Sequence, residues 1–382
     1  MPPTPNDTLF MARALEIARQ GEGSVEPNPQ VGCVLVRHGR VIAEGYHQRY
    51  GGPHAEVIAI RNAREPTCGA TAYVTLEPCC HQGQTGPCTR ALIQAEIAEV
   101  VIGCADPNPL VAGRAIRALR DANLIVRTGV MADDARELIA PFTKWICKQR
   151  PWVLAKWAMT IDGKIATSTG SSQWITSEAS RARVHHLRGR VDAIAVGIQT
   201  ALHDDPLLTA RPPGPRQALR IVLDSQGRLP LHSKLLQSAH DHPLLVATAA
   251  GIPSLTKEEI TSRGAEVVEL NGADHSQRLG ELLDLLGKRQ ITNLLVEGGG
   301  RLLGSLWDLD EIDEIHAFIG PMIVGGTRAI GPIGGEGILE MPAAKRLGWM
   351  EVETIDRDIY LRGRVLREDS TATTSTPANS PG

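Results

Sequence analysis

Apolar and polar positions along the 382-residue chain fall into two alternating series of strand-like and helix-like segments. At the start, Leu9, Ala12 and Ile17 lie on one helical face and Asp7 stands where an N-cap is expected, so a helix is predicted through about Gln20. The loop Glu26-Pro27-Asn28-Pro29 leads into a strand over 31–36, a turn at His38-Gly39 and a strand over 41–45. A helix over 54–64, a buried strand over 70–76, a helix over 88–95 and a strand over 99–103 follow, then a helix over 113–122 and a strand over 124–127. This alternation predicts a three-layer α/β/α domain ending near residue 145.

Lys-Gln-Arg-Pro at 148–151 interrupts the pattern before a second series begins. Strands are predicted over 152–158, 191–197, 219–224, 244–248, 291–297 and 313–319, helices over 178–189, 276–287 and 300–307, and a closing hairpin over 347–366. The expected division is a domain over 1–147, a second α/β domain over 151–368, and a Ser-, Thr- and Pro-rich tail over 369–382 read as disordered. No internal repeat is visible.

Composition narrows the classes. Forty basic residues against 43 acidic give a formal charge of −3, which removes any global electrostatic case for nucleic acid or an anionic membrane. Phe, Tyr and Trp make up 3% of the chain, too few for a platform that stacks single-stranded bases. No run approaches the ~18 apolar residues of a membrane span. Met1–Gln20 carries Asp7 and Glu16 and lacks an apolar signal core. Seven cysteines, an odd set, suit metal binding and buried thiols better than a disulfide framework. A soluble cytoplasmic enzyme is expected.

The chemistry concentrates at His54-Ala55-Glu56, Pro78-Cys79 and Pro87-Cys88. One imidazole and two thiolates can close three sides of a tetrahedral zinc site and leave the fourth for water. A glutamate two residues beyond the histidine is placed to move that water's protons. Zinc base deaminases carry H-x-E followed by P-C-x-x-C, and the chain departs only in the last spacing, because Gln82 occupies the third residue after Cys79. Cys88 is the candidate for the second thiol, and proline-preceded Cys79 fits better than its neighbour Cys80. Positions 54 and 56 of a helix lie about 200° apart, which suits one ligand and one acid/base rather than two ligands. Cys33, Cys68, Cys104 and Cys147 are assigned to structure.

The second half speaks less clearly by itself. Val296-Glu297-Gly298-Gly299-Gly300 ends an apolar strand and feeds a helix, a form that can cradle phosphate but is also a plain strand-turn-helix. Asp204-Asp205-Pro206 lacks a third metal ligand and reads as a capped turn. Lys156 within the apolar strand 153–159 is more telling, since buried lysines are rare and partnered.

Taken in order, Glu26-Pro27-Asn28-Pro29-Gln30-Val31-Gly32, Gly45-Tyr46-His47, Pro53-His54-Ala55-Glu56-Val57, Thr75-Leu76-Glu77-Pro78-Cys79, His81-Gln82-Gly83-Gln84-Thr85-Gly86-Pro87-Cys88 and Asp106-Pro107-Asn108-Pro109 carry a resemblance. Lys156-Trp157-Ala158-Met159-Thr160-Ile161-Asp162-Gly163-Lys164, Ser172-Gln173-Trp174-Ile175-Thr176, the run from His203 to Arg211, Ile221–Ser225 and Val296–Gly300 extend it to about residue 368. The chain resembles the bifunctional deaminase–reductase family of riboflavin biosynthesis. The resemblance implies a cytidine-deaminase-like domain followed by a dihydrofolate-reductase-like one. The first would deaminate 2,5-diamino-6-(5-phosphoribosylamino)pyrimidin-4-one with one zinc ion. The second would use NADPH to reduce the ribosyl group of the aminouracil product to ribityl.

The resemblance implies His54, Cys79 and Cys88 as zinc ligands and Glu56 as acid/base. It places Asn28, His47 and His81 against the pyrimidine. It gives Ala158, Trp174, Thr200, Asp204, Ser225, Gly299, Gly300, Arg301, Leu302, Leu303, Gly304 and Ser305 to the NADPH cofactor. Ser172, Arg188, Leu208, Arg211 and Glu297 fall to the substrate. Guanidinium forks at Arg188 and Arg211 suit a phosphate, and Lys156 is expected to polarise or orient the reacting sugar. The implied partners are small phosphorylated pyrimidines, with no nucleic acid and no membrane, and the chain is expected to form a homo-oligomer, a dimer or tetramer. Two positions depart from the family. Cys80 stands where Ser is usual, and Gln84 stands where Arg or Lys is usual, leaving Arg49 or Arg90 as substitute cations for the first substrate's phosphate. The rival reading is a nucleoside or nucleobase deaminase with a degenerate or accessory reductase-like domain.

Overall fold

The computed structural model describes residues 4–80, 86–109 and 111–367. His81, Gln84 and the tail 369–382 lie outside the described residues. The chain divides into two compact units. One comprises Met1–Pro151 with Gly214–Arg216 and Leu283–Thr292, and the other Trp152–Pro213, Gln217–Leu282 and Asn293–Gly382.

The first unit is a five-stranded sheet of β1 (Gly32–Arg37), β2 (Arg40–Tyr46), β3 (Thr71–Leu76), β4 (Glu99–Cys104) and β5 (Ile125–Thr128), in the order β2-β1-β3-β4-β5. The β1 strand is antiparallel to both neighbours, whereas β3, β4 and β5 run parallel. Among the described residues, α1 (Pro5–Ala18), α2 (Ala55–Asn62), α3 (Cys88–Gln94), α4 (Arg114–Asp121), α5 (Ala132–Leu138) and α6 (Ala140–Lys148) accompany it. Successive strand residues point to opposite faces, so the sheet feeds two cores. Val34, Tyr73 and Val101 pack with Met11 and Ala14 of α1 and Ala135 of α5. Cys33, Val74 and Ile102 pack with Ala59 of α2, Leu92 of α3 and Leu119 of α4. This is the three-layer arrangement expected from the alternation.

The first helix starts earlier than its pattern suggests. Thr4, not Asp7, is the N-cap, and Pro5 takes a position where its missing N–H costs nothing. Asp7 sits at N3 and closes a capping box: its backbone N–H donates to Thr4 Oγ1 at 3.2 Å, and its carboxylate accepts from Thr4 N at 2.7 Å. That carboxylate also meets Arg127 and Tyr73, so a residue read as a local cap is a buried tertiary anchor.

The second unit holds a nine-stranded sheet. Its strands are β6 (Trp152–Thr160), β7 (Ala193–Gly197), β8 (Leu219–Leu223), β9 (Leu244–Ala249), β10 (Glu266–Leu270), β11 (Asn293–Glu297), β12 (Glu314–Gly320), β13 (Leu347–Ile355) and β14 (Asp358–Val365). The order is β10-β9-β8-β7-β11-β6-β12-β14-β13, parallel except for the antiparallel hairpin at the β13–β14 end. Its helices are α7 (Glu178–Arg188), α8 (Ile198–Asp204), α9 (Lys234–Gln237), α10 (Ser254–Ser262), the first part of α11 (His275–Lys288), whose residues from Leu283 group with the first unit, and α12 (Gly300–Asp308). Ile194, Val196, Val222, Val246 and Leu295 from the strands join Leu235 and Leu236 of α9 and Ile260 of α10 in the main core. Strand β11 lies between β7 and β6, so the ends of β7 and β11 and the middle of β6 bring Gly197, Glu297 and Lys156 together.

Candidate active sites

Helix α2 carries the first site. A Cβ on Gly45 of β2 would lie 2.5 Å from the Ala55 carbonyl oxygen and 2.4 Å from Ala59 N, so only glycine lets α2 seat this closely on the sheet. His54 is the helix N-cap and leaves its ring free of capping duty. Its Nδ1 lies 3.2 Å from Cys88 Sγ and 3.5 Å from Cys79 Sγ, and the three ligand atoms all fall within 4.8 Å of one another. A tetrahedron with zinc bonds of about 2.0–2.3 Å has edges of roughly 3.3–3.8 Å, which these separations match. The donor set, one imidazole and two sulfurs, is also the one zinc prefers. Cys79 accepts from the Cys88 thiol, from Cys88 N and from the His54 ring, and is thereby pushed well below the ordinary thiol range. The hydrogen bond to Cys79, together with burial, pushes Cys88 up.

Glu56 is buried beside the Cys88 thiol, and its Oε2 has no hydrogen-bond partner. Burial raises its pKa above the usual carboxylate value. An unpaired buried carboxylate oxygen at a three-ligand metal pocket is positioned to handle a proton. Asn28 and His47 adjoin the same pocket: the His47 ring packs edge-on against the His54 ring with centroids 5.3 Å apart. His47 Nδ1 donates to the Pro53 carbonyl at 3.0 Å, and Asn28 Nδ2 donates to Nε2 at 3.1 Å. Burial lowers the His47 pKa, so the ring stays neutral and fixed in that tautomer.

Glu77 was not singled out by sequence, yet it anchors the strand end that bears Cys79. Its Oε2 accepts from Asp106 N at 3.3 Å and Gly113 N at 3.0 Å, and its Oε1 from Ala115 N at 3.1 Å and Ile116 N at 3.5 Å. Helix α4 begins at a glycine N-cap without a side-chain cap, so this distant carboxylate supplies the missing acceptors.

The second unit contains a cleft of about 1690 Å³. Single small-molecule pockets are about 300–1,000 Å³, so this one has room for two ligands. Lys156, Ala158, Ser172, Trp174, Arg188, Thr200, Asp204, Leu208, Arg211, Ser225, Glu297, Gly299, Gly300, Arg301, Leu302 and Ser305 all line it. Leu303 and Gly304 do not. Leu303 is fully buried, and a Cβ on Gly304 would lie 2.3 Å from the Gly334 carbonyl carbon, so both face the packed side of α12. At the start of α12 the Gly299 N-cap has no side-chain cap, Gly299 N donates to Thr200 Oγ1 at 3.3 Å, and a Cβ on Gly300 would lie 2.7 Å from Gly331 O. Such a side-chain-free helix start fits a cofactor phosphate.

Three charges meet at the cleft floor. Arg188 grips Glu297 with Nε at 2.6 Å and Nη2 at 2.9 Å, and Lys156 Nζ stands 3.7 Å from the same carboxylate. Against the effect of burial, Arg188 and Lys156 push Glu297 down to about 2. Burial lowers Lys156 from its ordinary value, with Glu297 opposing. Trp174 is 65% exposed at the cleft, with the Arg181 guanidinium 4.5 Å from its ring centroid. Arg181 and His185 line the cleft too and were missed, although both lie on α7 within two turns of Arg188.

Residues 4–104 match the family model for the cytidine and deoxycytidylate deaminase zinc-binding region, and residues 151–361 match that for the RibD C-terminal domain. The riboflavin biosynthesis protein RibD of Actinobacillus pleuropneumoniae is 45% identical over 359 residues, which cover 94% of this chain and 95% of that protein. The RibD of Aquifex aeolicus is 40% identical, covering 93% and 97%. Among solved structures, Acinetobacter baumannii RibD superposes with a TM-score of 0.82 at 36% identity over 95% of this chain and 99% of that one. A diaminohydroxyphosphoribosylaminopyrimidine deaminase/5-amino-6-(5-phosphoribosylamino)uracil reductase from Thermotoga maritima gives 0.81 at 35% identity, covering 94% and 99%. The two α/β units are thus a cytidine-deaminase-like domain with a His54–Cys79–Cys88 zinc site and a dihydrofolate-reductase-like domain. The chain belongs to the RibD family of riboflavin-biosynthesis proteins, bifunctional enzymes that join a pyrimidine deaminase to a reductase.

Proposed function

We propose that a deaminase domain over 1–147 hydrolyses 2,5-diamino-6-(5-phosphoribosylamino)pyrimidin-4-one, and that a domain over 151–368 reduces the ribosyl group of the resulting aminouracil to ribityl with NADPH. The buried, unpaired Glu56 Oε2 beside the three zinc ligands carries the first half of this reading. Zinc supplies the Lewis acidity that makes water nucleophilic near neutral pH. Glu56 takes the attacking water's proton and returns it to the ring nitrogen and the departing amine, so one water enters and one ammonia leaves. Asn28 and neutral His47 hold the pyrimidine, together with His81.

In the second domain NADPH supplies the hydride. Lys156 polarises or orients the reacting sugar, with Glu297 beside it. Arg188, Arg211, Ser172 and Leu208 hold the substrate, while Ala158, Trp174, Thr200, Asp204, Ser225 and the α12 start from Gly299 to Ser305 hold the cofactor. In that group Leu303 and Gly304 sit on the packed side of α12, and Gly304 seats the helix start against Gly334. We assign the protein to the cytoplasm, supported by cysteines that form no disulfide, Cys79 and Cys88 standing at the zinc site and Cys33, Cys68, Cys80, Cys104 and Cys147 elsewhere. A homo-oligomer, dimer or tetramer, is supported by edge strand β13, where Met350 and Val352 are exposed; sedimentation equilibrium tests it.

The deciding experiment supplies the diaminopyrimidine nucleotide with NADPH and follows ammonia release and cofactor oxidation together. Both are expected, in that order. Ammonia release from cytidine or guanine, with no NADPH oxidation on the nucleotide, would favour the rival deaminase with a degenerate second domain.

A further inference from the structure

His185 lies one turn before Arg188 on α7 and lines the same cleft. Its Nδ1 is 3.1 Å from the Thr209 carbonyl oxygen, and its Nε2 is 3.4 Å from Arg211 Nη2. A carbonyl only accepts, so Nδ1 carries the hydrogen. A guanidinium only donates, so Nε2 presents a lone pair. The two contacts together select one neutral tautomer. Arg188 on the same helix, Arg211 on the loop after α8 and Glu297 on β11 are the charged groups that act on the ring, with Lys156 of β6 behind Glu297. Burial first, then Arg188 and Arg211, push the His185 pKa below that of a free histidine, against the Thr209 carbonyl and Glu297.

The other donors nearby are engaged. Arg188 is held by Glu297 through Nε and Nη2, and Arg211 Nη1 donates to Thr209 Oγ1 at 2.9 Å. The adjustable pair is therefore Arg211 Nη2 and His185 Nε2.

We propose that His185 is the proton switch of a phosphomonoester subsite: neutral while it accepts from Arg211, and protonated once a phosphate dianion has taken that guanidinium. The proposal rests on the assignment of Arg188 and Arg211 to the substrate phosphate. A phosphomonoester carries about −1.5 to −2 charge at pH 7. Its arrival draws Arg211 Nη2 away from the ring. The freed Nε2 takes one proton from solvent and donates it in a hydrogen bond to a phosphate oxygen. Binding of the phosphorylated ligand is thereby linked to proton uptake, whereas an unphosphorylated sugar leaves the ring neutral.

The test is calorimetric titration of the full-length protein with ribose 5-phosphate at pH 7, in buffers of different ionisation enthalpy, alongside ribose and adenosine 2′,5′-bisphosphate. H185Q keeps a donor for Thr209 and an acceptor for Arg211 but cannot titrate. For the wild type we expect net uptake of several tenths of a proton with ribose 5-phosphate, and affinity about 3–10-fold higher at pH 6.5 than at pH 8. H185Q should bind the same ligand without uptake and without that pH dependence. The ligand's own second ionisation, near pKa 6, would release protons against guanidinium, the opposite sign. Equal uptake in H185Q overturns the switch. Uptake with adenosine 2′,5′-bisphosphate instead of ribose 5-phosphate overturns its assignment to substrate in favour of the cofactor phosphate. Should ribose 5-phosphate bind no tighter than ribose, and R211A change nothing, the phosphate assignment itself fails and the switch falls with it.

Discussion

Arg188 holds both oxygens of Glu297 at 2.6 and 2.9 Å, while Lys156 stays 3.7 Å from the same carboxylate. The guanidinium is the principal partner, so the ammonium keeps donors free for the cleft. Burial lowers the Lys156 pKa from its ordinary 10.5. If the reaction needs the ammonium, reductase kcat/KM falls as pH rises, with its midpoint below 10.5. K156R, charged throughout, should lose that alkaline limb, and K156A should lose about 10²–10⁴ in rate with deamination intact. A wild-type profile flat beyond the ordinary lysine range would count against the role.

Replacing Glu56 by Gln keeps the buried volume and removes the proton carrier. Deamination should fall about 10²–10⁴-fold, while zinc content by elemental analysis and reduction of pre-formed aminouracil nucleotide stay at wild-type levels. Zinc loss in E56Q would instead make Glu56 a determinant of metal binding.

Chelation separates the two activities. Removing zinc should abolish ammonia release and leave NADPH oxidation on the pre-formed aminouracil unchanged, since the metal ligands all belong to the first unit. Parallel loss of both would contradict the division of chemistry.

At the start of α12, G300A would put a methyl 2.7 Å from Gly331 O and 3.4 Å from Gly334 N, so backbone must yield. A strain of about 1–3 kcal/mol is expected there, read as a roughly tenfold rise in KM for NADPH with unchanged deamination. An unaltered KM would remove this turn from the cofactor site.

Asp7 bonds both terminal nitrogens of Arg127 at 2.7 and 2.8 Å and accepts from Tyr73 at 2.9 Å, while 2% exposed. D7N leaves that guanidinium with Glu99 as its remaining counterion, removes the charge-assisted pair on the two terminal nitrogens and should cost about 1.5–3 kcal/mol. The Arg127 hydrogen bonds hold the Asp7 carboxyl well below its usual range. Its stabilisation is therefore complete above the unfolded value near 3.9 and disappears as pH falls toward the folded value. Urea melts from pH 3 to 7 should show a constant gap between wild type and D7N above pH 5 and a shrinking one below pH 4.

Much of the first site was legible in the chain because zinc demands particular atoms, and the prolines before Cys79 and Cys88 fix where strand and helix turn. Features created by distant partners were not. Asp7 looked like a cap because Arg127, 120 residues away, is invisible locally. Helix α10 shows little helical pattern, with only Leu255 and Ile260 as large apolar residues, and β10 is five residues long, so neither gave a period strong enough to read. Leu303 and Gly304 share a motif with true lining residues, but the helical turn points them inward.

The carboxylate of Glu77 has a consequence for the order in which the first unit assembles. Buried without the amides of Asp106, Gly113, Ala115 and Ile116, it would cost several kcal/mol, so the turn bearing Cys79 cannot settle before α4 docks. Metal capture then closes the folding of this unit instead of nucleating it. Refolding with zinc present from the first instant should bring α4 home no faster than refolding in its absence, with the metal acting only on how slowly the finished turn comes apart.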